Sequence, residues 1–497
     1  MEIELRRSKP KGTIFVSGNK NSALPVIAAS ILHRGKVTLH NIPNIIDVNL
    51  FLDFLRTIGV VVDFKPKQEI LHLDYSKLRK QRVLRIPNPD KLTKIRAVIL
   101  LLAALAVRFD KVVFKGRFTG CSLGSRPLTV HFNNLEAMGF KVVVKPDALT
   151  LTKPRQTRGK KDIFVWQAET SVTATEVALI VAMAHRGKTT IYNAASEPHV
   201  QDTASFLKLL GARVRGIGTN LLEIDTSFVQ VEQAGQPKHL KYAIYSDIHE
   251  YATWLGISAI TGGRVEVVHN ISPFMLQEVD RHFKLFGYNI KHQRIDKPGQ
   301  GKHADSVIKL TRKNLTSTRS AEHKIWHIKK ASAITHVVKN LTQGIFKSTI
   351  VKPRTSLRRP PVRLDNGYIK IKPAPWPGLL VDILSLFVPL AAYSDIPVVF
   401  HNWMYDGGLF WTLQLRKAGV SVVMADPHRV IIKKLPFYRQ NVTLEAPYII
   451  RATIAMIMFG LTLEHVKILS AEAAFRGHPY FIEKLRSVGV NIEITKE

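Results

Sequence analysis

Six times along this chain an apolar-periodic stretch ends in a hydrophobic residue, a glycine follows, and a β-rich run begins. The phrases are FLRTIGVVVDF, LEAMGFKVVV, FLKLLGARVRG, FKLFGYNIK, LRKAGVSVVM and LRSVGVNIEI, with glycines at Gly59, Gly139, Gly211, Gly287, Gly419 and Gly489. A glycine there suits the left-handed residue that closes a helix before a strand starts. A second phrase precedes it: an Ala- and aliphatic-rich helix, a turn, then a short strand, as in NSALPVIAASILHRGKVTLHNI and HEYATWLGISAITGGRVEVVHNI. The unit is helix–strand–helix–strand, an α/β pattern. Three units make about 200 residues, a full-sized domain. Six therefore predict two similar domains, with a ligand cleft between them. Helix N-termini directed into that cleft would favour anions.

The glycine-to-glycine spacings are 80, 72, 76, 132 and 70 residues. The long interval holds a basic insertion at about 291–365, with 18 Lys/Arg against 4 Asp/Glu. It reads either as a solvated surface loop or as a docking surface for an anionic partner. Over all 497 residues the formal net charge is +34, so basicity extends well beyond the insertion and points to anionic partners. The N-terminus MEIELRRSKPKG has no apolar core of a signal peptide. The apolar run 97–107 is shorter than the ~20 residues of a membrane span, and the runs near 379–392 and 447–462 carry Asp382 and Arg451. The expectation is a cytoplasmic protein with no membrane span. One cysteine, Cys121, excludes an internal disulfide and a multi-cysteine metal site. No metal and no cofactor is expected.

Several residues are placed where chemistry could use them. In SGNKNSALP a glycine turn puts Lys20 and Asn21 at the start of an apolar helix, where Lys20 reads as a phosphate or carboxylate ligand or as a solvated cap. Cys121 lies in GRFTGCSLGSRPLTVH, between Gly116, Gly120 and Gly124 and flanked by Arg117 and Arg126. Nearby cations lower a thiol pKa, although a lone cysteine is most often a small buried residue. Arg96 in KIRAVILLL and Arg451 in IIRATIAMIM open apolar helices. The helix dipole disfavours a cation there, so each needs an anionic partner, from the protein or from a ligand. Arg476 sits in the turn FRGHPYF. Asp382 interrupts PWPGLLVDILSLF, either as a functional carboxylate or as a first-turn Asp facing the dipole.

The phrases SGNKNSALP, KIRA, GCSLGSRP, SVTAT, NAASEPHVQD and RGHPYFIEKLRSVG resemble the enolpyruvyl transferases, nearly end to end from residue 10 to 494 with the insertion largely outside. The Lys-Asn phrase with the Cys loop resembles the branch acting on UDP-N-acetylglucosamine, the peptidoglycan and cell-wall branch, and the shikimate branch lacks that loop. The resemblance implies two inverse α/β domains, each of three βαβαββ units, with the active site between them. The expected division is 21–240 for the first domain and 1–20 with 241–497 for the second. The implied reaction moves the enolpyruvyl group of phosphoenolpyruvate onto the 3′-hydroxyl of the sugar nucleotide and releases phosphate. By resemblance Cys121 is the acid and Asp382 serves the sugar hydroxyl. Lys20, Arg96, Arg126, Arg451 and Arg476 match the anion clamp around phosphoenolpyruvate. Asn21, Pro127, Leu128, His131, Ser171, Val172 and Thr173 match contacts to the sugar nucleotide.

Five positions depart from the family pattern. Expected arginines fall on Gly408 and Ile248, an aspartate on Ile449, an acidic uridine contact on Thr129 and a lysine on Glu169. A lost clamp arginine removes ~1.5–3 kcal/mol of charge-assisted hydrogen bonding. These losses set two alternatives beside the enzymatic reading: a weakly catalytic member, and one with a shifted substrate. A nucleic-acid-binding module, contacting through the basic insertion, is a third alternative. It rests on charge alone, without basic residues interleaved with aromatic ones.

Overall fold

The computed structural model describes residues 1–78, 81–86, 90–93, 95–116, 128–154, 162–229, 239–295, 344–351 and 367–496. Its strands form six four-stranded sheets of one pattern: a parallel pair, then two antiparallel neighbours. In one of them Lys36–His40 runs parallel to His239–Ala243 and antiparallel to Ile70–Asp74, which pairs in turn with Val61–Lys65. Each glycine closing a repeat has positive φ: 93° at Gly59, 81° at Gly139, 99° at Gly211, 82° at Gly287, 87° at Gly419 and 85° at Gly489. That backbone admits glycine without a Cβ penalty, which is why the glycine recurs wherever a helix turns back into a strand.

Two hydrophobic cores result. One gathers apolar residues from Ala23 to Ile244, the other those of 3–16 and 248–492. The chain crosses between them twice, and the crossovers pair with each other. Gly18 bridges Ser246, Asn19 N donates to Tyr245 O at 2.9 Å, and Asp247 N donates to Ser17 O at 2.7 Å. At Gly18 an added Cβ would stand 1.7 Å from Asn41 O, so only glycine lets the segments approach. Each crossover exchanges a strand. Lys11–Phe15 precedes the first-core helix Lys20–Ser30 but pairs with Arg264–His269 in the second core. His239–Ala243 precedes the second-core helix Ile248–Thr261 but pairs in the first core. A division at 240/241 therefore falls inside a strand, and the chain leaves the first core only after Ala243.

The insertion is also narrower than its composition suggests. Phe346–Val351 lies between Arg264–His269 and Asn289–Arg294 in one sheet, paired antiparallel with both. The start of the 291–365 interval and its segment Phe346–Val351 thus contribute sheet strands. Ile295 N donates to Ile345 O at 2.9 Å, which closes a neck around residues outside the described set.

At the centre of each core lie apolar helices with nearly every residue buried. Lys20–Ser30 packs on Val98–Arg108, which packs on Val172–Ala182. Ile248–Thr261, Val388–Ala392 and Ile450–Gly460 pack on one another. Among the described residues, no helix is long and apolar enough to cross a membrane.

Candidate functional site

Several of the singled-out residues lie at the N-terminal ends of helices. Lys20 opens Lys20–Ser30, whose Asn19 cap accepts from Asn21 N at 2.7 Å. Arg96 precedes Val98–Arg108. Ser171, Val172 and Thr173 begin Val172–Ala182. Asp382 is in the first turn of the short helix Val381–Leu384, and Arg451 is the second residue of Ile450–Gly460. The repeat thus brings several of the singled-out residues to one kind of place, where free N–H groups and the helix dipole favour anions.

Three groupings emerge. In the first, Asp47 holds two cations from different cores: its carboxylate is 3.2 Å from Lys20 Nζ and 3.7 Å from an Arg476 nitrogen. Arg476 also donates to Tyr448 OH at 3.0 Å and lies over its ring. In the second, Arg451 meets Asp247 at 3.4 Å and His478 Nε2 at 3.1 Å. Asp247 also accepts from Asn19 Nδ2 at 3.2 Å and lies 2.7 Å from His249 Nδ1. Burial alone would raise the Asp247 carboxyl, but the His249 and Arg451 charges, with hydrogen bonds from His249 and His478, hold it well below the usual carboxylate range. The third belongs to the first core: His131 Nε2 and Thr173 Oγ1 are 2.7 Å apart, and Asn134 Nδ2 donates to Ala174 O. Burial, with the Arg96 charge, pushes His131 down to about 3, so it is neutral near pH 7.

His199 links the cores. It is fully buried at the start of Pro198–Leu209, and burial takes it to about 3. The His249 charge adds to that fall, while Asp382 and Asp247 oppose it, which places all three within electrostatic reach. Leu128 stands at the cap of Thr129–Ala137. Cys121, Arg126 and Pro127, with the flanking Arg117, lie outside the described residues.

Sequence reasoning missed Asp47, His199, Asp247, His249 and His478. Asp247 and His249 flank Ile248, in a phrase read only for the arginine it lacks. The departures differ in burial. Ile248 is 1% exposed in the second core. At Gly408 an added Cβ would stand 2.5 Å from Asn402 Nδ2, so the segment has closed around a missing side chain. Thr129 and Glu169 are exposed. Among the described residues no group of three or more His, Cys, Asp or Glu is arranged to hold a metal ion.

This fold belongs to a known class. The profile of EPSP synthase (3-phosphoshikimate 1-carboxyvinyltransferase) matches residues 6–344. The chain belongs to this enolpyruvyl transferase family. It is 29% identical over 488 residues to a UDP-N-acetylglucosamine 1-carboxyvinyltransferase of Bradyrhizobium diazoefficiens, covering 98% of this chain and 96% of that one. It is 28% identical to the enzyme of the same name from Treponema denticola, covering 98% and 97%. The fold matches the enolpyruvyl transferase NikO of Streptomyces tendae with TM-score 0.68 at 16% identity, over 99% of this chain and 98% of that one. It matches EPSP synthase from Acinetobacter baumannii with TM-score 0.65 at 16% identity, over the whole of both chains.

Proposed function

We propose that this chain transfers the enolpyruvyl group of phosphoenolpyruvate to the 3′-hydroxyl of UDP-N-acetylglucosamine, with release of phosphate. The observation that carries the reading is a set of cations on both cores: Lys20, Arg96 and Arg451 at helix N-termini, with Arg476 sharing Asp47 with Lys20. Phosphoenolpyruvate offers a phosphate and a carboxylate, and four cations, three of them at dipole-positive helix ends, suit a ligand of that charge. The acceptor assignment draws on the names of the full-length relatives and on the Cys121 loop.

In this reading the clamp, completed by Arg126, fixes the phosphate and carboxylate. Cys121 protonates the methylene carbon of phosphoenolpyruvate. The sugar 3′-oxygen bonds to the adjacent carbon, and its proton leaves towards Asp382. Loss of a methyl proton restores the double bond as the carbon–oxygen bond to phosphate breaks. Neutral His131, on Thr173, lines the sugar-nucleotide side with Asn21, Pro127, Leu128, Ser171 and Val172. Burial keeps the imidazole neutral, so His131 itself adds no cation to that wall.

The deciding assay is phosphate release from phosphoenolpyruvate, with UDP-N-acetylglucosamine, with shikimate 3-phosphate, or with neither. Release only with the sugar nucleotide, lost in Cys121→Ala, is expected. The family profile is named for the shikimate reaction, so release with shikimate 3-phosphate alone would transfer the assignment to that acceptor. No release with either would favour a member retained for binding.

A further inference from the structure

Arg451 is a cation in the first turn of a helix, where the macrodipole opposes it, and its side chain is only 13% exposed. Such a guanidinium keeps its place only if other groups hold it. The family resemblance puts an aspartate two residues earlier, and here that residue is Ile449. The carboxylate comes instead from Asp247, 204 residues away in sequence, at the second crossover. Asp247 is fixed from several sides. It caps Ile248–Thr261 by accepting from His249 N at 3.0 Å. The His249 ring comes from its own helix, Asn19 from the other crossover, Arg451 from Ile450–Gly460, and His478 from the turn after Arg476. His199 of the first core lies within its electrostatic reach.

His478 holds the other side of the guanidinium. It is completely buried, with Thr253 Oγ1 3.1 Å from its Nε2. Gly477 makes the approach possible: an added Cβ there would stand 2.4 Å from Ile450 Cγ2 and 3.2 Å from Arg451 Nη1. Burial and the Arg451 charge push His478 below its ordinary value, so a neutral ring lies against the cation.

We propose that Asp247 and His478 are positioning residues that hold the Arg451 guanidinium where phosphoenolpyruvate meets it. The inference rests on the enolpyruvyl-transfer reading of Arg451. One carboxylate balances one guanidinium, and the neutral ring of His478 fixes its direction without adding charge. Without the carboxylate, the dipole drives Arg451 outward and the anion loses a preformed partner.

A double-mutant cycle tests this. Asp247→Asn keeps the helix cap, because asparagine caps as well as aspartate. It should raise KM for phosphoenolpyruvate roughly tenfold or more, leaving KM for the acceptor within about twofold. In an Arg451→Gln background the same change should add less than about twofold. His478→Gln, which can still accept from the guanidinium, should stay near wild type, and His478→Phe should behave like Asp247→Asn. If Asp247→Asn unfolds the chain, the His478 pair carries the same cycle. Independent, multiplying effects would overturn the positioning role while leaving the reaction intact. A wild-type chain that neither binds nor turns over phosphoenolpyruvate would instead overturn the functional reading, and this inference with it.

Discussion

Asp47 has two cations to satisfy and one carboxylate to do it with. It lies near the start of Ile46–Thr57, and its side chain is 10% exposed. Lys20 and Arg476 approach from different cores, and in the proposed reading the carboxylate stands in for the ligand anion. Asp47→Asn should destabilise the free protein by about 1–3 kcal/mol, because two partly buried cations lose their counter-charge. The same change should enlarge the rise in Tm that saturating phosphoenolpyruvate produces, since the ligand then supplies the missing charge. A thermal-shift titration checks both, and an unchanged ligand shift would separate Asp47 from the anion site. Asp47 and Asp247 escaped the sequence because a carboxylate beside a helix start reads as an ordinary cap or dipole partner. Arg96 and Arg451 could be singled out because the reverse charge in that place requires explanation, and Lys20 and Arg476 because each lies in or beside a glycine turn. The partner of Arg451 lies 204 residues away, and no local pattern encodes such a distance.

The six glycines and their helix-to-strand phrases were legible because they act locally, through one left-handed backbone position per unit. The strand Phe346–Val351 was not, because it is separated from its neighbour Asn289–Arg294 by a long basic interval. The resemblance implied that the chain crosses between the domains twice, but local sequence could not show the strand exchange: Lys11–Phe15 and His239–Ala243 have ordinary strand sequences, and only the pairing shows which core each joins. The neck between Ile295 and Ile345 yields an element-scale prediction. Ile345 packs with Phe15 and Val268, and Ile295 leans on them. Replacing 298–342 with a short glycine-rich turn should leave Tm within a few degrees, because both strands and their closing hydrogen bond remain. Deleting 300–360 should abolish cooperative unfolding of the second core, because it removes a strand from between two others. Equal stability of the two deletions in circular dichroism melts would mean that Phe346–Val351 is dispensable.

At the scale of the whole molecule, the cores are joined by buried polar groups as well as by chain. Lys484 pairs with Glu250, 1% and 0% exposed, and donates to Ser17 Oγ at 2.9 Å. Ser17 donates onward to Glu69 of the first core at 2.7 Å. A structure that buries so many ionisable groups must respond to pH, and the direction follows from which groups lead. Burial takes His131, His199 and His269 each to about 3, and lowers His282 and His478 as well. For these histidines the folded pKa lies below the unfolded value near 6.5. Their neutral rings are compatible with the fold above 6.5, and stability is lost as pH falls from there towards 3, because the unfolded chain takes up protons that the folded one refuses. Three buried carboxyls act oppositely: burial raises Asp202 to about 6 and pushes Glu176 and Glu197 upward. Their contribution is full at low pH and fades as pH rises through the folded values, so it offsets part of the histidine loss between about 6 and 4. Five histidines outweigh three carboxyls, and the net loss between pH 6.5 and 5 should be on the order of 2 kcal/mol. Urea unfolding at pH 7 and pH 5 measures it, with an earlier midpoint expected at pH 5. Asp202→Asn removes one offsetting carboxyl and should widen the gap between the two midpoints. A midpoint that moves later on acidification would show that the carboxyls lead and that the histidines titrate near their unfolded values.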